Sequence, residues 1–270
     1  MLLSFSPHPV EVLNPGMKFE RIFPLADMEE QLDLLGLDYL VVEPFSRELA
    51  SLTPQKFWQD WVQAYLSPSL VFVGHDFRFG AEKTGNFKLL AHLSAEYGFD
   101  LRLMPAVKSE GEVISSTRIK ELLALGHVRK VRQFLGRNFE MRGVVIEGQR
   151  LGRKLGFPTA NIENVSSLLP LSGVYFTQTL LENGIWYPSV TNVGKAPTLR
   201  GEESRPRVET HLLENLNFSL YNQKLRIALS AFWRTERKFS NMEELRSQIS
   251  LDVGEARKYW AQQNLVFGRS

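Results

Sequence analysis

The period of the hydrophobic residues changes near residue 137, and no single architecture accommodates both sides of that change. From Leu2 to about Gly126, the apolar runs LLSF (2–5), LDYLVVE (37–43), LVFVG (70–74) and DLRLM (100–104) alternate with segments of helical period. This is the pattern of a parallel sheet covered by helices. Leu25, Met28, Leu32 and Leu35 step by three or four, as do Phe57, Trp61 and Tyr65 in a helix opened by Thr53 and Pro54. The segment STRIKELLALG predicts a helix from near Ser116 to Gly126, where glycine can take the left-handed conformation that ends a helix.

After a connecting helix at roughly 128–135 the period becomes two. Glu140 to Glu147, Gly173 to Leu181, Ile185 to Asn192, Arg207 to Leu213 and Leu225 to Trp233 read as strands. Glu182-Asn183-Gly184 joins the second to the third as a hairpin. The spacing points to a small barrel. The chain closes with a helix bearing Leu245, Ile249 and Val253 on one face, for which Ser240 and Glu243 are the expected capping box. The expected division is an α/β domain over 1–125, a connecting helix over 126–136, and a β-barrel with its C-terminal helix over 137–270.

With 270 residues, 43% of them hydrophobic, the chain can fill two cores. It contains no cysteine, which removes disulfides, thiolate nucleophiles and cysteine-based zinc sites, and suits a reducing, cytoplasmic compartment. No apolar run approaches the roughly 18–20 residues of a membrane span, and MLLSFSPHPVEV lacks the basic start and cleavage site of a signal peptide. The formal charge is +2, divided as −3 over 1–136 and +5 over 137–270. That is too little for a nucleic-acid-coating protein, but it favours an anionic ligand in the second half. The five histidines (8, 75, 92, 127, 211) show no zinc-type spacing.

The most loaded segment is GVVIEGQRLGRKLGFPTANI (143–162), in which Gly148, Gly152 and Gly156 surround Arg150, Arg153 and Lys154. Small residues let backbone amides approach an anion, and the cations neutralise it. The segment is neither a Walker A loop nor a dinucleotide fingerprint, and read alone it could equally be a solvated turn. It runs into Phe157-Pro158-Thr159-Ala160-Asn161, where an extended chain turns the Thr159 and Asn161 oxygens to one face. Such a pair suits Mg²⁺ when phosphates and water complete its shell; the alternative is a turn that satisfies its own backbone. Glu209 in RVETHLLE is the best-placed acid to accept a hydroxyl proton, or else a strand partner of Arg207 or Arg205. His211 shares its face.

In the first half SFSPHP (4–9), VGHDFRFG (73–80) and ISSTRI (114–119) sit at strand ends, where α/β sheets bind ligands. These supply His8, fixed between two prolines, together with Gly74, Asp76, Arg78 and Gly80. Ser115, Ser116, Thr117 and Arg118 mark a helix start, which is either an ordinary N-cap or a phosphate site.

These residues resemble the prokaryotic bifunctional riboflavin kinase/FMN adenylyltransferase family, also called FAD synthetase, over essentially the whole chain. The kinase signature is carried by Gly143, Gly148, LGRKLGFPTANI (151–162), Gly173-Val174-Tyr175, Asn192-Val193-Gly194 with Pro197-Thr198, and Val208-Glu209-Thr210-His211. The resemblance implies a six-stranded flavokinase barrel. In it Thr159 and Asn161 would coordinate the Mg²⁺ on ATP, the 148–158 loop would cover the phosphates, and Glu209 would activate the riboflavin 5′-hydroxyl. SFSPHP, VGHDFRFG and ISSTRIK resemble the family's Rossmann-like nucleotidyltransferase domain, which adenylates FMN to FAD.

The front half departs from the family pattern. Family members begin with a further strand and a GxFDGxHxGH-type loop, neither of which occurs within 1–270. Asp76 stands where some members have Asn, and Lys120 where Arg is common. A first strand of such a sheet is central, so its loss opens two strand edges and an apolar strip, to be covered by rearrangement, by a partner or by residues upstream of Met1. The expected ligands are riboflavin, FMN and ATP, with neither nucleic acid nor membrane as partner. The competing reading is a non-catalytic flavin- or nucleotide-binding regulator.

Overall fold

The computed structural model describes every residue except 18, 149–150, 164, 166–167, 196–205, 215–218 and 268–270. The chain divides into two compact units, one comprising Met1–Glu20 and Leu25–Ile114, the other Arg21–Pro24 and Ser115–Ser270.

The first unit runs β1 (Leu2–Ser6), α1 (Pro9–Leu13), α2 (Leu25–Leu34), β2 (Leu40–Pro44), α3 (Arg47–Ala50), α4 (Pro54–Phe57, continued as a wider π-helix through Trp58–Leu66), β3 (Leu70–Gly74), α5 (Phe87–Tyr97) and β4 (Asp100–Met104). A short hairpin, β5 (Lys108–Ser109) and β6 (Glu112–Val113), follows. The Thr53 hydroxyl caps α4 by accepting from the Lys56 amide at 3.3 Å, and Pro54 opens its first turn, as the sequence suggests.

The four apolar runs pair parallel, Leu2 opposite Leu40 in β1–β2 and Leu70 opposite Asp100 in β3–β4. They form two separate two-stranded sheets rather than one continuous sheet. Among the described residues no strand pairs with both sheets to bridge them. Side chains do the joining instead. Leu3 and Phe5 of β1 pack on a core of Phe57, Trp58, Val62, Val73, Phe79, Leu90, Leu93 and Phe99. The opposite face of β3–β4 keeps apolar surface in water, with Phe72 61% exposed beside Leu70 and Met104.

The second unit begins with α6 (Ser116–Ala124) and α7 (Val128–Leu135), separated by Gly126 at φ +74°. The barrel consists of β7 (Phe139–Ile146), α8 (Leu151–Leu155), β8 (Ala160–Glu163), β9 (Gly173–Leu180), β10 (Trp186–Lys195), β11 (Pro206–Leu212) and β12 (Lys224–Arg234), followed by α9 (Met242–Phe267). It closes in the order β10-β11-β8-β7-β12-β9, every pair antiparallel. Five strands follow the period-two segments of the sequence; the sixth, β8, is the ANIE stretch within the loaded segment. The hairpin falls at Asn183-Gly184, where Gly184 takes φ +77° and Asn183 Oδ1 accepts from the Ile185 amide.

Phe139, Met141, Val145, Tyr175, Leu225, Ile227 and Leu229 are among the fully buried side chains of this unit. Outside the barrel, α9 lays Ala256 and Tyr259 on Val174, Phe176, Val190 and Ala231. It is anchored by buried Asp252, which accepts from Arg234 Nη2 at 2.6 Å and Nε at 2.9 Å, and from Trp233 and Gln248. Its cap corrects the sequence expectation by one residue. Asn241, not Ser240, accepts from the amide of the third helical residue, Glu244, whose carboxylate returns to the Ser240 amide.

Five inward positions of β9, β10 and β11 are not apolar. Thr177, Thr179, Ser189, Thr191 and Thr210 are essentially inaccessible, and a hydroxyl buried without a partner costs about 1–3 kcal/mol. These hydroxyls satisfy one another in a cluster within the barrel wall.

Candidate active site

Strand register assembles the site. Glu209 on β11 lies opposite Asn161 on β8 and, on its other side, opposite Asn192 on β10. Val208 and Thr210 turn inward and are buried, so alternation sends Glu209 outward, and with it Asn161 and Asn192. A carboxylate therefore stands between two carboxamides on the outer wall. Glu209 is the less exposed member of its ion pair, 19% against 44% for Arg207, whose Nη2 and Nε donate to Oε1 at 2.7 and 3.0 Å. The strand-partner reading and the acid reading thus describe one residue, a carboxylate oriented by its neighbour.

The glycine-rich loop closes on this row. A Cβ on Gly148 would stand 2.3 Å from Asn161 Nδ2, and one on Gly152 would stand 2.4 Å from the Phe157 carbonyl and 3.1 Å from Thr159 Oγ1. Both positions leave room only for hydrogen, so the loop backbone comes directly up to Thr159 and Asn161. Gly152 lies in α8, which ends where Gly156 takes φ +87° and the Phe157 amide donates back to the Gly152 carbonyl at 2.8 Å. Arg153 and Lys154 on α8 are exposed, and Phe157 is half-buried while Pro158 is exposed. Arg150, Pro197, Thr198 and Arg205 lie outside the described residues.

His211 ties the loop to the barrel. Its Nδ1 is 2.8 Å from the Pro158 carbonyl, and its ring meets Phe157 edge-on at 5.7 Å. Burial holds the imidazole pKa below its ordinary value; the Pro158 carbonyl opposes this and Arg257 adds to it.

Two residues at this site carry no role in the sequence pattern: Asn192 stands in a motif without a task of its own, and Glu236, just beyond β12, stands in none. Asn192 Nδ2 donates to Glu236 Oε1 at 3.3 Å, and a Cβ on Gly194 would meet that carboxylate at 2.3 Å. The strand step from Asn192 to Gly194 could have flagged the first; the second depends on where the chain turns after β12.

The front-half candidates divide between the units. His8, Gly74, Asp76, Arg78 and Gly80 belong to the first, and Ser115, Ser116, Thr117 and Arg118 to the second. His8 caps α1, its Nδ1 accepting from the Val10 amide at 3.3 Å, and its ring stacks on Phe19. Gly80, at φ +70°, abuts Pro54 so closely that a Cβ would lie 2.6 Å from its ring. Gly74 faces the exposed Asp76 carboxylate, while Arg78 Nη1 donates to the Phe77 carbonyl at 2.8 Å. The Ser115 hydroxyl caps α6 by accepting from the Arg118 amide at 3.2 Å, and the Arg118 guanidinium pairs with Glu121. Ser116 and Thr117 are exposed in the first turn.

Comparison with known proteins matches the two halves of the chain to different family models, and it keeps Ser115 to Arg118 with the first half. The riboflavin kinase family model matches residues 135–260, and the FAD synthetase model matches residues 1–118. The bifunctional riboflavin kinase/FMN adenylyltransferase of Escherichia coli K12 is 34% identical over 260 residues, covering 96% of this chain and 82% of that protein. Its Bacillus subtilis namesake is 32% identical over 264 residues, with the same two coverages. Among solved structures, a macrolide-efflux protein from Streptococcus pneumoniae superposes with a TM-score of 0.84 at 28% identity, over 94% of this chain and 82% of that one. No described helix here is long and apolar enough to cross a membrane. A riboflavin kinase barrel following a FAD synthetase domain, in a chain one-third identical to its relatives over nearly its full length, belongs to the bifunctional riboflavin kinase/FMN adenylyltransferase family and so to the enzymes of flavin cofactor biosynthesis.

Proposed function

We propose that the barrel transfers the γ-phosphoryl group of ATP to the riboflavin 5′-hydroxyl, giving FMN and ADP, and that Glu209 accepts the hydroxyl proton. The observation that carries this reading is the outward row Asn161–Glu209–Asn192 beneath a loop whose glycines close on Thr159 and Asn161. As the bond from O5′ to the γ-phosphorus forms and the β,γ-bridging bond breaks, the proton passes to Glu209 and the electron pair leaves with ADP. Arg207 directs both its donors to Oε1, so Oε2 is the oxygen on which the proton is taken up. Phosphoryl transfer asks little covalent chemistry of a protein, so the rest is positioning and charge neutralisation.

Thr159 Oγ1 and Asn161 Oδ1 are the residues that would hold Mg²⁺. They fit it as neutral hard oxygens approached by the glycine backbone at 148 and 152. When bound, the ion supplies neutralisation of phosphate charge. Gly148, Arg150, Gly152, Arg153, Lys154, Gly156, Phe157 and Pro158 form the loop that would cover the ATP phosphates. A cytoplasmic location, in keeping with a cysteine-free chain, belongs to the same proposal, with riboflavin, FMN and ATP as ligands.

A second activity, FMN adenylylation to FAD, is favoured by the FAD synthetase match over residues 1–118. His8, Gly74, Asp76, Arg78, Gly80 and Ser115 to Arg118 are its candidate residues. The test is chromatography of flavins after this 270-residue chain is incubated with riboflavin, ATP and Mg²⁺, and separately with FMN, ATP and Mg²⁺. FMN in the first incubation supports the kinase reading, and its absence overturns it. FAD in the second supports the adenylyltransferase, and its absence restricts this chain to the kinase.

A further inference from the structure

The buried hydroxyls of β9, β10 and β11 form a closed circuit. Thr177 Oγ1 lies 2.7 Å from Ser189 Oγ, which lies 2.8 Å from Thr179 Oγ1. Thr179 Oγ1 lies 3.3 Å from Thr210 Oγ1; Thr191 Oγ1 donates to Thr210 at 2.9 Å and returns to Thr177 at 2.8 Å. Each hydroxyl has one proton to give and can accept, so each can serve two neighbours. Ser189 Oγ has a second acceptor within reach, the Thr177 carbonyl at 3.0 Å.

Valine nearly matches threonine in shape, and the inward face of a barrel strand would ordinarily take it. The hydroxyls add directional matching. A slip of one residue between β10 and β11 is already forbidden by alternation, because it would turn Glu209 inward. A slip of two residues is not, since Val208 and Leu212 flank Thr210 on the same inward face. That slip would keep an inward face inward, yet it would carry Glu209 about 6.6 Å along β10, at roughly 3.3 Å per residue. Arg207 or His211 would then oppose Asn192. The hydroxyl circuit as it stands is broken by such a slip: Thr191 would face Val208 or Leu212, and Thr210 would face Ser189 in one direction and Val193 in the other.

We propose that this circuit of five buried hydroxyls is a positioning device for the kinase reaction, fixing the register of β11 against β10 so that Glu209 stays level with Asn192. Thr191 and Thr210, its members next in sequence to Asn192 and Glu209, are the positioning residues that matter most. The inference rests on Glu209 acting in the kinase site, and the experiment separates the two ideas.

Three forms of the full chain are compared with the parent: Thr191→Val/Thr210→Val, Thr191→Ser/Thr210→Ser, and Glu209→Gln alone. Steady-state riboflavin phosphorylation and amide exchange over residues 206–212 are measured on each. The expected result is a fall of at least tenfold in kcat for the valine pair, with KM for ATP within about twofold and faster exchange in β11. The serine pair, which restores the hydroxyls, should stay within about threefold of the parent in both readouts. A valine pair with parental kcat and exchange, or a serine pair impaired as deeply as the valine pair, overturns the proposal. If Glu209→Gln keeps its turnover, the base assignment fails by itself, and the exchange data still decide whether the circuit sets register. Should the valine pair not fold, replacing all five (Thr177→Val, Thr179→Val, Ser189→Ala, Thr191→Val, Thr210→Val) leaves no hydroxyl stranded, and the same comparison is read on that chain.

Discussion

Arg207 and Glu209, two residues apart on the same face of β11, meet at a single oxygen, with both guanidinium donors on Glu209 Oε1. The pair is partly open to solvent, so it contributes at most about 1 kcal/mol to folding, and its value lies in aiming the carboxylate. Glu209→Gln keeps the shape and removes the basicity. FMN formation is expected to fall by about 10²- to 10⁴-fold, while the melting temperature moves by no more than a few degrees. Flavin chromatography and calorimetry on the same preparation check both halves of this expectation.

Gly148→Ala and Gly152→Ala test the cradle. The first drives a methyl group into the Asn161 carboxamide, and the second into the Phe157 carbonyl, which is backbone and yields less easily. Both are expected to raise KM for ATP by about tenfold or more, Gly152→Ala the more strongly, with little change in thermal stability. Titration with ATP and Mg²⁺ should show the same ranking.

Gly254 supplies the contrasting case. It lies inside α9 with nothing within 4 Å of where a Cβ would stand. Gly254→Ala therefore removes backbone freedom from the unfolded chain without a clash, and is expected to stabilise the second unit by about 0.5–1 kcal/mol. Denaturant unfolding followed by tryptophan fluorescence measures it.

His211 gives the barrel a pH dependence of definite sign. Its folded pKa lies below the ordinary 6.5, so between the two values the unfolded chain binds more protons than the folded one. Its contribution is complete above pH 6.5 and is lost as pH falls through that value toward the depressed one. His211→Gln should flatten this part of the melting temperature profile between pH 7.5 and 5.5, and an undiminished slope in the variant would remove His211 as its source.

Much of this fold can be read from local chemistry. Alternation identifies five of the six strands, and Asn183-Gly184 marks the hairpin because a tight turn needs the positive φ that glycine adopts. The sixth strand, ANIE, is too short to show a period and emerges only because β7 and β11 pair with it on either side. Thr159, Asn161 and Glu209 could be singled out because their chemistry is uncommon in their setting. Glu236 could not, since only the path of the chain after β12 brings it to Asn192. Nor could the hydroxyl circuit, because threonine is an unremarkable strand residue until three strands turn it toward the same point. The error at the start of α9 has a comparable origin: Ser240 and Asn241 are both good caps, and the sequence does not choose between them.

The two units differ in how they can come apart. A closed barrel has no outermost strand to peel away, so its ladder gives way as a whole. Among the described residues each of β1 to β4 in the first unit has one hydrogen-bonded neighbour, so a strand can detach by breaking a single ladder. A protease added to the native chain should therefore cut within the first unit and leave the barrel as the resistant fragment, with the candidate site residues Thr159, Asn161 and Glu209 still joined in one piece.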